Sequence, residues 1–231
     1  MLDELKRQVL EANLQLPKYR LITFTWGNVS AIDRKKGLII IKPSGVEYDK
    51  LKIEDIVVVN FDGNVIEGKY KPSSDTPTHI ELYKAFPKIG GVVHTHSSYA
   101  TSFAQACKEI KAYGTTHADY FYGNIPCTRI LTETEIQDDY EKNTGIVIAE
   151  ALKDIDENAM PGILVANHGV FSWGENADTA VHNAVVIEEV AKMACRTELI
   201  NPEIKEINRY ILDKHYNRKH GKDAYYGQNS I

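Results

Sequence analysis

Ile89-Gly90-Gly91-Val92-Val93-His94-Thr95-His96 is the stretch on which the reading of this chain turns. Its apolar run predicts a buried strand. Side chains two apart on a strand share a face, so His94 and His96 stand side by side at its end. Neighbouring imidazoles on a rigid element suit a divalent metal, although an isolated His-x-His pair also occurs as ordinary structure. The pattern recurs downstream, where Ile163-Leu164-Val165-Ala166-Asn167 predicts a second apolar strand that runs into His168-Gly169. Two strands finishing in histidine point to a site built at one edge of a sheet.

The rest of the chain frames that site. With 231 residues, 43% of them hydrophobic, it has the material for one sizeable core, and no linker-like or charge-block segment divides it. A single domain over residues 1–231 is expected. The net charge of -5 and the lack of a basic stripe argue against nucleic-acid binding. Cys107, Cys127 and Cys195 are scattered and odd in number, as expected of reduced thiols in a cytoplasmic protein. The charged opening Met1-Leu2-Asp3-Glu4-Leu5-Lys6-Arg7 has no signal-peptide core, and no segment is apolar enough to span a membrane.

Leu2, Leu5, Val9, Ala12 and Leu16 recur at helical spacing and predict a first helix ending at Pro17. Strands are expected at Leu21 to Thr25, Val29 to Ile32, Leu38 to Ile41, Ile56 to Asn60 and Asn64 to Glu67, separated by turns such as Asp62-Gly63-Asn64. Thr76-Pro77 starts a helix with Ile80, Tyr83 and Phe86 inward. Further helices are expected from Ser98 to Cys107, Thr132 to Tyr140, Thr144 to Lys153, Ala177 to Arg196 and Pro202 to Arg218. Strand clusters flanked by helices, without regular βαβ alternation, predict a three-layer α/β/α fold around a mostly antiparallel sheet.

Three loops have a composition suited to phosphate: Thr25-Trp26-Gly27-Asn28, Lys42-Pro43-Ser44-Gly45 and Lys71-Pro72-Ser73-Ser74-Asp75. Backbone N–H groups in glycine-permitted turns, hydroxyls and a lysine charge hold such a dianion. The same residues also populate ordinary surface turns, and none forms a nucleotide-binding fingerprint. Asp75 is the carboxylate closest in sequence to a metal role, or else a charge at the start of the next helix. His79, His182 and His220 read as surface or satisfied core residues. Thr115 to Gly123, containing His117 and Asp119, reads as a polar and aromatic loop, and Tyr225-Tyr226 places large rings on a terminal tail.

The runs Thr-Trp-Gly-Asn-Val-Ser (25–30), Ile-Lys-Pro-Ser-Gly-Val (41–46), Lys-Pro-Ser-Ser-Asp-Thr-Pro-Thr-His (71–79), Val-His-Thr-His-Ser (93–97) and Gly-Thr-Thr-His-Ala-Asp-Tyr-Phe-Tyr-Gly (114–123) resemble the class II aldolase/epimerase superfamily. Within it, they look most like the epimerases that invert C4 of a ketopentose 5-phosphate. The resemblance covers essentially the full length. It implies a zinc-type site, with manganese or cobalt as substitutes, made by His94, His96, His168 and Asp75. It implies that Gly27, Asn28, Ser44, Gly45, Ser73 and Ser74, helped by Lys42, hold the phosphate of a phosphorylated ketopentose. It further implies that Asp119 and Tyr226 are an acid/base pair supplied across a subunit boundary in a homotetramer. A place in pentose catabolism, L-arabinose use in particular, goes with it. One departure is His168-Gly169-Val170-Phe171, where the superfamily usually has proline after the glycine. The competing readings are an aldolase on the same scaffold, which has glutamate in place of Asp75, and a non-catalytic protein with a structural metal.

Overall fold

The computed structural model describes residues 2–222 and 224–225. In chain order the elements are α1 (Leu2–Lys18), β1 (Gly27–Asp33), β2 (Leu38–Ile41), β3 (Val57–Asn60), β4 (Val65–Glu67), α2 (Thr76–Ala85), β5 (Gly91–Thr95), α3 (Ser98–Gln105), α4 (Thr115–Ala118), α5 (Glu133–Ala151), β6 (Gly162–Leu164), β7 (Val170–Gly174), α6 (Ala177–Ile200) and α7 (Arg209–His220). Among the described residues the strands form one sheet in the order β4-β3-β2-β1-β5-β7-β6, with every neighbouring pair antiparallel.

Apart from the exposed edge strand β4, the sheet is buried on both faces, so its strands read as nearly continuous apolar runs. Alternate residues go to opposite sides. Ile39, Val57, Val59, Val92 and Trp173 join a core with α2, α3 and α5, whereas Val29, Ala31, Ile40, Val58 and Val93 join one with α1; α6 contributes to both. This is the expected three-layer α/β/α arrangement. Buried Asn13 of α1 fixes the register of β1: its amide accepts from Val29 N at 2.9 Å and donates to Val29 O at 3.1 Å. The strand position beside Asn28 is thereby held from the opposite layer.

Several expected elements differ. Leu21 to Thr25 is not a strand: Phe24 takes φ 50° and Trp26 N bonds Thr23 O, so the chain turns before β1. The last helix begins at Arg209, not Pro202, because Asn208 caps it by accepting from Tyr210 N at 2.9 Å. The Thr115 segment, read as a loop, contains the short helix α4. The two helices expected between Thr132 and Lys153 are one element broken at Asp139, whose φ -151°, ψ 75° is not helical.

Candidate active site

The site grows from one cross-strand row. Asn28 on β1 pairs with His94 on β5, which pairs with Phe171 on β7, so the three side chains stand abreast. The His94 ring stacks on Phe171 at 4.2 Å between centroids. Its Nδ1 donates to Val170 O at 3.0 Å. A carbonyl only accepts, so the proton sits on Nδ1 and Nε2 is the nitrogen presented to the site.

That Nε2 lies 3.0 Å from Nε2 of His96, the first residue past the end of β5. His168 enters from the turn between β6 and β7, with its ring 4.7 Å from His94 and 5.1 Å from His96. One ligand nitrogen from each of the three falls within a 4.8 Å group. The turn is tight. Asn167 before His168 adopts φ 62°, and a Cβ on Gly169 would lie 2.8 Å from Thr95 O and 3.1 Å from His96 Cδ2. Burial, then the neighbouring His94 and His96, pushes His168 down to about 3, and burial also lowers His96. These two imidazoles therefore stay neutral, the form that binds metal. Three convergent imidazole nitrogens are a donor set that fits a zinc-type divalent cation with room for further ligands.

Asp75 lies outside that 4.8 Å group but lines the same cavity. Its Oδ2 accepts from Asn28 Nδ2 at 2.6 Å and from Ser73 Oγ at 3.4 Å. Burial alone would raise this carboxyl, but the His94 and His79 rings and the Asn28 amide outweigh it and hold the pKa low.

The three phosphate-suited loops meet at this cavity of about 550 Å³, which Gly27, Asn28, Lys42, Ser44, Gly45, Ser73, Ser74, Asp75, His94, His96 and His168 all line. The two Lys-Pro-Ser segments pair with each other, Ser44 N donating to Lys71 O and Ser73 N to Lys42 O, each at 3.0 Å. Gly45 takes φ 68° and Gly27 φ 151°; a Cβ on Gly27 would lie 2.9 Å from His94 O. Lys42 is only 2% exposed, and among the described residues its ammonium touches just the Pro43 carbonyl at 3.3 Å and the face of Tyr48. No carboxylate among the described residues pairs with it, and burial lowers its pKa to about 8. An uncompensated buried cation on a cavity wall is a seat for an anion.

Tyr140 and Glu141 also line the cavity and were not foreseen. They follow the break at Asp139, which puts the Tyr140 hydroxyl 3.3 Å from His168 Nδ1. The only hint in sequence was the seam between two expected helices. His79 is buried beside the site with Nδ1 2.7 Å from Ser30 Oγ.

Asp119 is not among the residues lining this cavity. It follows α4, where Arg218 of α7 grips it through two bonds of 2.9 and 2.6 Å and His215 Nδ1 lies 3.0 Å away. His220 Nε2 donates to its backbone carbonyl at 2.9 Å. Burial would raise the carboxyl, but Arg218 and His215 hold it low, so it is ionised at neutral pH. Tyr226 lies outside the described residues.

Residues 7–195 match the family described as class II aldolase and adducin N-terminal domain, and the chain belongs to that family. Among its relatives, a protein named L-ribulose-5-phosphate 4-epimerase UlaF, from Salmonella paratyphi B (strain ATCC BAA-1250 / SPB7), is 59% identical over 98% of this chain and 100% of its own length. Its counterpart from Salmonella choleraesuis (strain SC-B67) matches equally well, also at 59% identity over 98% of this chain and 100% of its own. Of solved structures, an L-fuculose 1-phosphate aldolase superimposes with a TM-score of 0.81 at 26% identity, over 93% of this chain and 95% of the other.

Proposed function

We propose that this chain is an enzyme that interconverts L-ribulose 5-phosphate and D-xylulose 5-phosphate by inverting C4. The observation that carries the reading is one cavity with two kinds of wall, a cluster of three imidazoles and an anion seat around buried Lys42. Full-length likeness to proteins named as this epimerase favours it over the aldolase, whose likeness is at the level of 26% identity.

The carbonyl of the substrate is at C2, so the C4 hydrogen is not acidic and inversion goes through the C3–C4 bond. A base takes the C4 hydroxyl proton, the C3–C4 pair moves onto C3, and C4 becomes the aldehyde carbon of glycolaldehyde phosphate. The other fragment is the enediolate of dihydroxyacetone. Gly27, Asn28, Lys42, Ser44, Gly45, Ser73 and Ser74 keep the phosphate anchored while the aldehyde turns its other face to C3. The bond re-forms and the new C4 oxygen takes up a proton.

His94, His96 and His168 would hold a divalent cation, zinc or in its place manganese or cobalt, and Asp75 is the carboxylate available for a fourth position. Such an ion, when bound, supplies Lewis-acid stabilisation of the enediolate charge. Two acid/base groups are needed because the C4 oxygen lies on opposite sides before and after. Asp119 and Tyr226 fill these roles from a neighbouring copy in a homotetramer. Trp26 on the cavity and Phe24 in the groove beside it, 54% and 78% exposed, support a covered face there. In this reading residues 1–231 work as one domain in the cytoplasm, in pentose catabolism such as L-arabinose use. No helix among the described residues is long and apolar enough to cross a membrane.

The test is a carbon-13 NMR time course of L-ribulose 5-phosphate with metal-loaded protein in D2O. The expected result is D-xylulose 5-phosphate building to an equilibrium mixture without deuterium at C4. Separate fragments would mean an aldolase, and an unchanged spectrum would contradict the substrate.

A further inference from the structure

Tyr48 forms the partition between the site and the apolar groove beside it. It lines the groove together with Leu14, Ile22 and Phe24, and Thr25 and Gly45 border both spaces. The ring is buried and lies under the Lys42 ammonium, 4.8 Å from Nζ to centroid. Its hydroxyl donates to Gly27 O at 2.7 Å. One side chain thus touches both the cation and the glycine turn that face the proposed phosphate.

A buried ammonium without a carboxylate needs another source of negative potential that does not compete with the ligand. The face of an aromatic ring supplies it, because its quadrupole attracts the cation and brings no net charge to repel an anion. A carboxylate in its place would neutralise the seat. The Tyr48–Gly27 bond fixes the ring, and with it the ammonium, relative to the backbone at Gly27 and Asn28.

We propose that Tyr48 is the positioning residue of the anion seat: its ring carries the Lys42 ammonium and its hydroxyl locks the ring to the Gly27 turn. The proposal rests on the reading of this cavity as the phosphate site. The two fail separately when inorganic phosphate is used as a competitive inhibitor of the metal-loaded enzyme. In Tyr48→Leu, phosphate Ki and substrate KM are expected to rise together by about 10-fold, with a far smaller change in kcat. Tyr48→Phe keeps the ring and falls between Tyr48→Leu and the unaltered enzyme.

Fluorinated phenylalanines at position 48 decide the matter even where the leucine variant folds poorly. Added fluorine drains the ring face at nearly constant size, so Ki climbs stepwise along the series. A flat series means the ring only packs, and it overturns the proposal. Phosphate that does not compete in the unaltered enzyme overturns the phosphate site itself and the role of Tyr48 with it.

Discussion

Gly169 shows how little slack the histidine cluster has. A methyl group there would meet Thr95 O, His96 Cδ2 and His94 Cε1 at 2.8, 3.1 and 3.3 Å, so two of the three rings would have to move. Gly169→Ala is expected to lower metal affinity about 10-fold in a chain that still folds, read as metal content by mass spectrometry after dialysis against dilute zinc. Unchanged content would mean that the rings have room to shift. Lys42 gives a second residue-scale prediction. Burial lowers its pKa to about 8, and only the ammonium attracts phosphate, so kcat/KM should fall as pH rises through about 8, with kcat less affected. Lys42→Arg should move that limb upward, because guanidinium stays charged; an unmoved limb would assign the titration to another group. His94, His96 and His168 were legible in sequence because each ends an apolar run. Tyr140 and Glu141 were not, since their place depends on a backbone break at Asp139 that no local pattern announces.

Among the elements, α3 is held by a residue far away in sequence. Glu188 of α6 accepts from Tyr99 N at 2.9 and 3.1 Å and from Ala100 N at 2.9 Å, satisfying donors in the first turn of α3 that have no partner within the helix, just after His96. Glu188→Ala is expected to cost about 2 kcal/mol of stability, measured as a lower urea midpoint at unchanged slope. No loss would mean that water caps α3 equally well. β1, β2, β3 and β5 were readable because strands buried on both faces leave apolar runs between turns, whereas β7 (Val170–Gly174) was not expected and the strand read over Ile163 to Asn167 is confined to Gly162–Leu164. Leu21 to Thr25 has the same look yet turns away at Phe24, and the composition of five residues does not encode that difference. The start of α7 at Asn208 was legible in principle as a capping asparagine, but Pro202 earlier in the segment gave a competing start signal.

At the scale of the whole molecule, the proposed site divides into two chemically distinct halves on one chain. The cavity with the three imidazoles and Lys42 lies at the ends of β1, β5 and the β6–β7 turn. The Asp119 carboxylate is held elsewhere, between α4 and α7. The motifs drew attention to both groups of residues, and whether the two groups meet depends on packing and assembly, which no local pattern encodes. In the proposed homotetramer each cavity is completed by Asp119 and Tyr226 of a neighbour. Asp119→Asn and His96→Asn should each abolish most turnover when pure, because each damages one half of every site. The deciding measurement is the turnover of mixed assemblies made by co-expressing these two variants. Shared sites predict recovery to about one quarter of the unaltered rate, the random-pairing value for a head-to-tail interface. No recovery above the separate variants, in assemblies shown to be mixed, would contradict a site built from two copies.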